Sequence, residues 1–327
     1  MPRMAEKDLV VDVAATGFMC LLYVVLGFAA CFCNILNLTI YGTNKELRKK
    51  YLYMMALDAG ELVNGISYIL VGSGRGFGLI FGYITVPITV YECYFRHYWV
   101  HSLILGTELP AYCIVLISVE RMCAVLRPAA YKRIFEGKYK FFILLSVPFL
   151  GTTSVIVAGA SAIVDGNRLV STQHCPIISS TAIWYSTYHF VAITVVYVLS
   201  FFSLSIIKYR TRKYAGVRSE DFRIGMMLVI TGVSIILVGS SAFVMITIRW
   251  NLLSYSDIAV SLTYSMPGFL SIVNTVVNLT FRKELKQQFL YLLGRRQAKA
   301  GFNTTTVVMT IAHHTSPSQS TKPSQHF

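Results

Sequence analysis

Seven stretches of this chain, about 17–41, 51–72, 94–119, 139–163, 182–207, 222–248 and 257–280, each run for roughly 20 or more largely apolar residues. Nothing in the sequence constrains the fold more. A helix of that length crosses a hydrocarbon layer about 30 Å thick, and within such a layer it satisfies its own backbone N–H and C=O groups. The expectation is an all-α membrane protein, a seven-transmembrane helix bundle forming one domain over 17–280. Composition agrees, since 55% hydrophobic and only 13% charged residues leave too little charge to coat a water-soluble globule. Phe77 to Tyr91 is apolar too, but it is glycine-rich, bracketed by Arg75 and Glu92, interrupted by Pro87 and short for a crossing. An eighth span there would invert every later loop, so 73–92 reads as an outer loop packed on the bundle.

The net charge of +14 raises nucleic acid as a partner, and the placement of the basic residues decides against it. Of 29 Lys/Arg, 22 besides Arg121 follow spans one, three and five or lie in the tail, and six lie on the opposite side. Such asymmetry puts those loops and the tail in the cytosol and the N-terminus outside, with membrane lipid rather than DNA as the acidic partner. Residues 1–16 lack the features of a signal peptide, so the first span reads as its own uncleaved anchor. The tryptophans Trp99, Trp184 and Trp250 all fall near outer span ends, as an interfacial belt would have them. From Phe281 to Leu293, Phe281, Leu285, Phe289 and Leu292 recur at helical spacing between basic residues, which predicts an amphipathic juxtamembrane helix over 281–293. Residues 294–327 read as a Ser/Thr-rich disordered cytosolic tail, in which Thr304 to Thr306 and Ser316 to Ser324 are candidate phosphorylation sites for an arrestin-like partner. His313-His314 is too isolated for a metal site.

Chemistry concentrates in a few polar residues. Glu120-Arg121-Met122 stands at the cytosolic mouth of the third span, with Pro128 seven and Tyr131 ten residues past the arginine. A guanidinium there needs a partner facing the bundle interior or water, unless it merely snorkels to headgroups. Asp58 and Glu61, three apart, share one face of the second span, and Glu108 is a further intramembrane acid. Glu108 reads first as a hydrogen-bonded carboxyl in helix packing, with ligand contact as the alternative. His101, Ile104, Tyr188, His189 and Tyr264 join Glu108 as candidate ligand-pocket residues, against the plainer reading that aromatics at the outer mouth are anchors. No converging nucleophile, base or metal set is found, so neither an enzyme nor a cofactor is expected. A transporter or channel using Glu61 and Glu108 as an ion path is a rival reading, but the chain shows no internal repeat and no matched interrupted half-helices.

The Glu120-Arg121 pair with Pro128 and Tyr131 resembles the rhodopsin-like G-protein-coupled receptors, whose usual tripeptide is Asp/Glu-Arg-Tyr. Asn34 in the first span, Glu61 within Leu57-Asp58-Ala59-Gly60-Glu61-Leu62, and Asn274-Thr275-Val276-Val277-Asn278 where Asn-Pro-x-x-Tyr is usual extend the likeness over roughly 30–293. Lys283-Glu284-Leu285-Lys286 follows at the offset of odorant-receptor-like sequences. The family's Cys-Trp-x-Pro in the sixth span is missing. The run from Leu57 to Tyr68 and the degenerate sixth and seventh helices look most like the nematode serpentine chemoreceptors of the Srsx kind.

What the resemblance implies is a multi-pass plasma-membrane receptor for an odorant or other small molecule, signalling through a heterotrimeric G protein; a neuropeptide receptor of the same class is the near alternative. It makes Glu120, Arg121, Pro128 and Tyr131 the G-protein switch. It brings Asn34 and Asn274 onto Glu61, a cluster that holds sodium in the family, although Pro110 stands where a serine ligand is usual and a protonated Glu61 is the other reading. It pairs Cys93 at the top of the third helix with Cys175 in the loop after the fourth, with Cys20 as a rival partner. Leu103 occupies the place of the amine-binding aspartate, and the seventh span has no lysine, so amine and retinal ligands are disfavoured.

Overall fold

The computed structural model describes residues 13–135, 139–214, 218–253 and 257–294. In chain order the elements are α1 (Val13–Gly42), α2 (Lys45–Lys50), α3 (Leu52–Ile80), β1 (Ile88–Thr89), α4 (Val90–Arg96), α5 (Trp99–Leu126), α6 (Pro128–Phe135), α7 (Tyr139–Val164), β2 (Leu169–Val170), α8 (Ile177–Ser180), α9 (Ile183–Tyr214), α10 (Arg218–Arg249), α11 (Asp257–Phe281) and α12 (Lys283–Leu292). Among the described residues, six of these, α1, α3, α5, α7, α9 and α10, are long and apolar enough to cross a membrane. The protein is thus an all-α, multi-pass membrane protein. In α11 the apolar character is diluted by Thr263, Ser265, Ser271, Asn274, Thr275 and Asn278, all buried. The candidate phosphorylation sites at 304–306 and 316–324, and the histidine pair at 313–314, lie outside the described residues.

Burial follows a solvent that is itself oily. Phe28, Phe32, Phe141, Phe142, Phe149 and Ile236 point outward, while Asn34, Asp58, Glu61, Glu108 and Asn274 are buried. Between helices in lipid, close backbone approach substitutes for the hydrophobic effect, and small residues permit it. A Cβ added at Gly72 would lie 2.6 Å from Cys20 O, one at Gly27 2.7 Å from Gly65 O, and one at Gly106 2.8 Å from Asn64 Cα. No side chain larger than hydrogen fits there without moving backbone, so α1, α3 and α5 are clamped together. In α10, by contrast, a Cβ at Gly239 would meet nothing within 4 Å.

Two boundaries differ from those expected. The second crossing does not end at 72, because α3 continues to Ile80 and absorbs the first part of the supposed outer loop. That extension carries buried Arg75 to the bundle mouth, where its Nε donates to His174 O at 2.7 Å. The third crossing divides. Thr89 and Glu92 form a capping box that starts the separate helix α4, the chain is extended at His97, and α5 begins only at Trp99. At its other end α5 outlasts the apolar run that stops at Val119. It closes at Leu126, because Arg127 precedes Pro128 and is pushed out of the helical region to φ −141°.

Cys93 therefore sits on α4 and not on the third long helix, and it forms the disulfide with Cys175 at a Cα–Cα distance of 5.5 Å. Cys20 is a free, buried thiol. Beside the bridge, β1 pairs antiparallel with β2 through Ile88↔Val170 and Thr89↔Leu169. Together these roof one end of the bundle. Trp184 and Trp250 are half-exposed as an interfacial belt requires, but Trp99 departs from that expectation. It is 2% exposed and lies against Gly74, where an added Cβ would stand 2.4 Å from the indole. At the opposite end α12 is tied to the loop helix α2 by Lys50–Glu284 at 2.7 Å, with Tyr51 also donating to Glu284 at 2.9 Å. Phe281 belongs to α11, so the amphipathic helix starts two residues later than expected.

Candidate functional site

The basic end gathers the four residues singled out around Arg121. Pro128 opens α6, where its fixed φ and missing N–H suit the first turn of a helix. One turn on, Tyr131 donates to Glu120 Oε1 at 3.4 Å, while Arg121 Nε lies 3.5 Å from Glu120 Oε2. Arg121 also borders a small cleft with Leu204 of α9, Ile224 and Met227 of α10, and Arg282. A guanidinium held by one carboxylate beside such a cleft can exchange that partner for another when the helix ends separate.

At mid-bundle, Asn274 donates to Glu61 Oε1, but Asn34 does not join them. Asn34 instead gives its amide hydrogen to Ala30 O of its own helix at 2.9 Å, and its side-chain oxygen has no hydrogen-bond partner. The junction of α1, α3 and α11 is made one turn away: Asn37 donates to Asp58 Oδ1 at 3.1 Å and to Thr275 Oγ1 at 3.0 Å. Sequence reasoning missed Asn37 and Thr275, and took Asp58 only as a neighbour of Glu61. The available signal was that Asn37 follows Asn34 on nearly the same helix face and Thr275 adjoins Asn274. Glu61 Oε2, Asn64 Oδ1 and Asn274 Oδ1 are buried acceptors without partners. Of these, Glu61 and Asn64 border one cavity and Asn274 does not, while Pro110 contributes no ligand and Asn34 is turned away.

Glu61, Asn64, Thr107 and Pro110 line a cavity of about 40 Å³, closed on the other sides by Phe190, Ile193, Tyr197, Val238, Pro267 and Leu270 among others. None of the six proposed ligand-pocket residues lines it. Tyr188 is 55% exposed and faces away from the core, Ile104 is enclosed in the apolar core, and His101 stacks edge-on against Tyr94 with ring centroids 4.5 Å apart. Tyr264 accepts from Tyr68 through its backbone oxygen at 2.7 Å.

Glu108 and His189 do come together, beside the cavity. Glu108 Oε1 lies 2.8 Å from His189 Nδ1 and accepts from Ser154 Oγ at 2.8 Å, and Glu108 Oε2 accepts from Tyr112 OH at 3.1 Å. Tyr185 OH lies 2.8 Å from Ser154 Oγ, and His189 Nε2 lies 3.1 Å from Thr107 Oγ1. Here α5, α7 and α9 are stitched by one polar network with His189 only 1% exposed. Thr107 both completes it and lines the cavity, so the two are mechanically joined.

No protein-family model matches the chain, and no curated protein matches it significantly. The functional reading therefore stands on these side chains. At the roofed end, burial and the Arg75 guanidinium push His174 down to about 4, and His97 is lowered by burial and then by Arg75 and Arg96. Both rings are thereby held neutral at neutral pH, next to a guanidinium that a second positive charge would repel.

Proposed function

We propose that this chain is a G-protein-coupled receptor of the rhodopsin-like kind that senses a small molecule, with seven crossings, its disulfide end outside and its basic end in the cytosol. The observation that carries this reading is the Glu120–Arg121 pair held by Tyr131 beside the α5–α9–α10 cleft, at the end opposite the Cys93–Cys175 bridge. A ligand that prefers the conformer with this pair broken and the cleft widened shifts the population toward G-protein binding, by no more than its preference for that conformer. The small, largely apolar cavity with its Thr107 hydroxyl supports a compact, weakly polar ligand. The reading is tested by expressing wild type and Arg121→Ala with cAMP and calcium reporters against volatile and peptide libraries. A ligand response lost in Arg121→Ala at equal surface expression supports it. A response indifferent to that substitution, or an N-terminal tag sheltered inside intact cells, overturns it.

A further inference from the structure

A cavity larger than the one at mid-bundle is also present. It lies at the basic end, has a volume of about 420 Å³, and is walled by α2, the start of α3, the end of α5, α6 and the start of α7. Four cations face it, Lys49, Lys50, Arg121 and Lys140, against the two carboxylates of Glu46 and Glu120. Both Glu120 and Lys50 are already engaged, with Arg121 and Glu284 respectively. Lys140 is pre-positioned, its Nζ donating to Lys49 O at 3.1 Å and standing 5.6 Å over the Tyr53 ring. Tyr53 supplies the independent observation. It is 5% exposed, lines the cavity, and its hydroxyl has no hydrogen-bond partner. A buried phenol without a hydrogen-bond partner, under the Lys140 ammonium and near the Glu120 carboxylate, has a hydrogen to give to an acceptor that enters the cavity.

We propose that this cavity binds the headgroup of a membrane lipid that carries at least one phosphomonoester. A phosphomonoester offers several charged acceptor oxygens to the Lys49 and Lys140 ammonium groups and to the Tyr53 hydroxyl at once. The volume suits a polyol headgroup and is far more than one phosphate ion fills, since a water needs only about 10–15 Å³ in comparable measure. A lipid is favoured over a free anion by what adjoins the cavity. Phe141 and Phe142, directly after Lys140, are 66% and 68% exposed, and they give acyl chains an apolar face beside the headgroup. The physiological setting rests on the proposed function, which puts this end at the cytosolic leaflet. The binding itself does not, so the two can fail separately.

The test uses the full chain in phosphatidylcholine nanodiscs, whose two leaflets are both accessible, titrated with phosphatidylinositol bisphosphate and followed by native mass spectrometry. With about fivefold in affinity per lysine, the variant Lys49→Ala/Lys140→Ala is expected to bind roughly 30-fold more weakly. Tyr53→Phe, which keeps every charge, should lose about fivefold. Lys283→Ala/Lys286→Ala, outside the cavity on α12, should stay within about twofold of wild type if no more than diffuse surface charge is lost there. The proposal is overturned if the α12 pair loses as much as the cavity pair, or if Tyr53→Phe binds as wild type does. It is also overturned if soluble inositol trisphosphate binds as tightly as the lipid, which would make the site one for a free anion.

Discussion

A double-mutant cycle on Glu108 and His189 asks whether the network between α5, α7 and α9 acts as a unit. Glu108 has three partners, His189, Ser154 and Tyr112, all within 3.1 Å. Polar contacts between membrane helices couple by about 0.6 kcal/mol on average and at most about 1.7 kcal/mol. Glu108→Ala strips two such contacts, with His189 and Ser154, and the hydrogen bond from Tyr112 of its own helix, and should then cost about 3 kcal/mol. His189→Ala loses Glu108 and Thr107, and should cost about 2 kcal/mol. Because the Glu108–His189 contact is short and fully buried, its coupling belongs near the upper limit, about 1.5 kcal/mol. The double variant should therefore cost about 3.5 kcal/mol, where independent sites would give about 5 kcal/mol. The assay is reversible unfolding in mixed detergent micelles at fixed pH, followed by tryptophan fluorescence, with all four proteins measured side by side. A double variant within about 0.5 kcal/mol of the summed singles refutes the reasoning, and the two residues would then be neighbours without a shared network.

His174, held low by burial and Arg75, stays neutral in the fold at a pH where the unfolded chain already takes up a proton. Its folded value is depressed, so its contribution is present above about pH 6.5 and is lost as pH falls toward 4; after allowance for partial exposure the loss is about 1–2 kcal/mol. Thermal unfolding should show a steeper decline over that window in wild type than in His174→Gln, and parallel curves would exclude the assignment. Gly72→Ala drives a methyl to 2.6 Å from Cys20 O and should cost about 1–3 kcal/mol, whereas Gly239→Ala meets open space and should gain about 0.4–1 kcal/mol. Equal effects at the two glycines in the same unfolding assay would show that the α1–α3 approach is not as close as described.

Sequence reasoning went furthest where one physical signal dominates. Apolar length located the helices, because a hydrocarbon solvent leaves a chain few alternatives, and α7 over Tyr139–Val164 falls within a residue of expectation. The pattern read less well where local capping competes with hydropathy. Thr89 and Glu92 start a helix of their own, and a run of good helix formers after Val119 carries α5 onward. The site divided in the same way. Glu120, Arg121 and Tyr131 were singled out by their likeness to a receptor motif within one short segment, and the structure brings their side chains together. The partners Ser154 and Thr107 were not, because which way a buried hydroxyl points depends on the crossing of helices far apart in sequence, whereas Tyr112 stands one turn from Glu108 on the same helix, a spacing the sequence does offer. Trp99 shows the limit from the other side, since its position near a span end says nothing of the glycine opposite that draws it inward.

The unequal fit of the glycines has a consequence for how the molecule can move. Where α1, α3 and α5 meet backbone to backbone, a residue larger than glycine has no room, which makes that flank the closely fitted side of the bundle. On α10, Gly239 leaves unclaimed room, so that helix is not locked to a neighbour at this point.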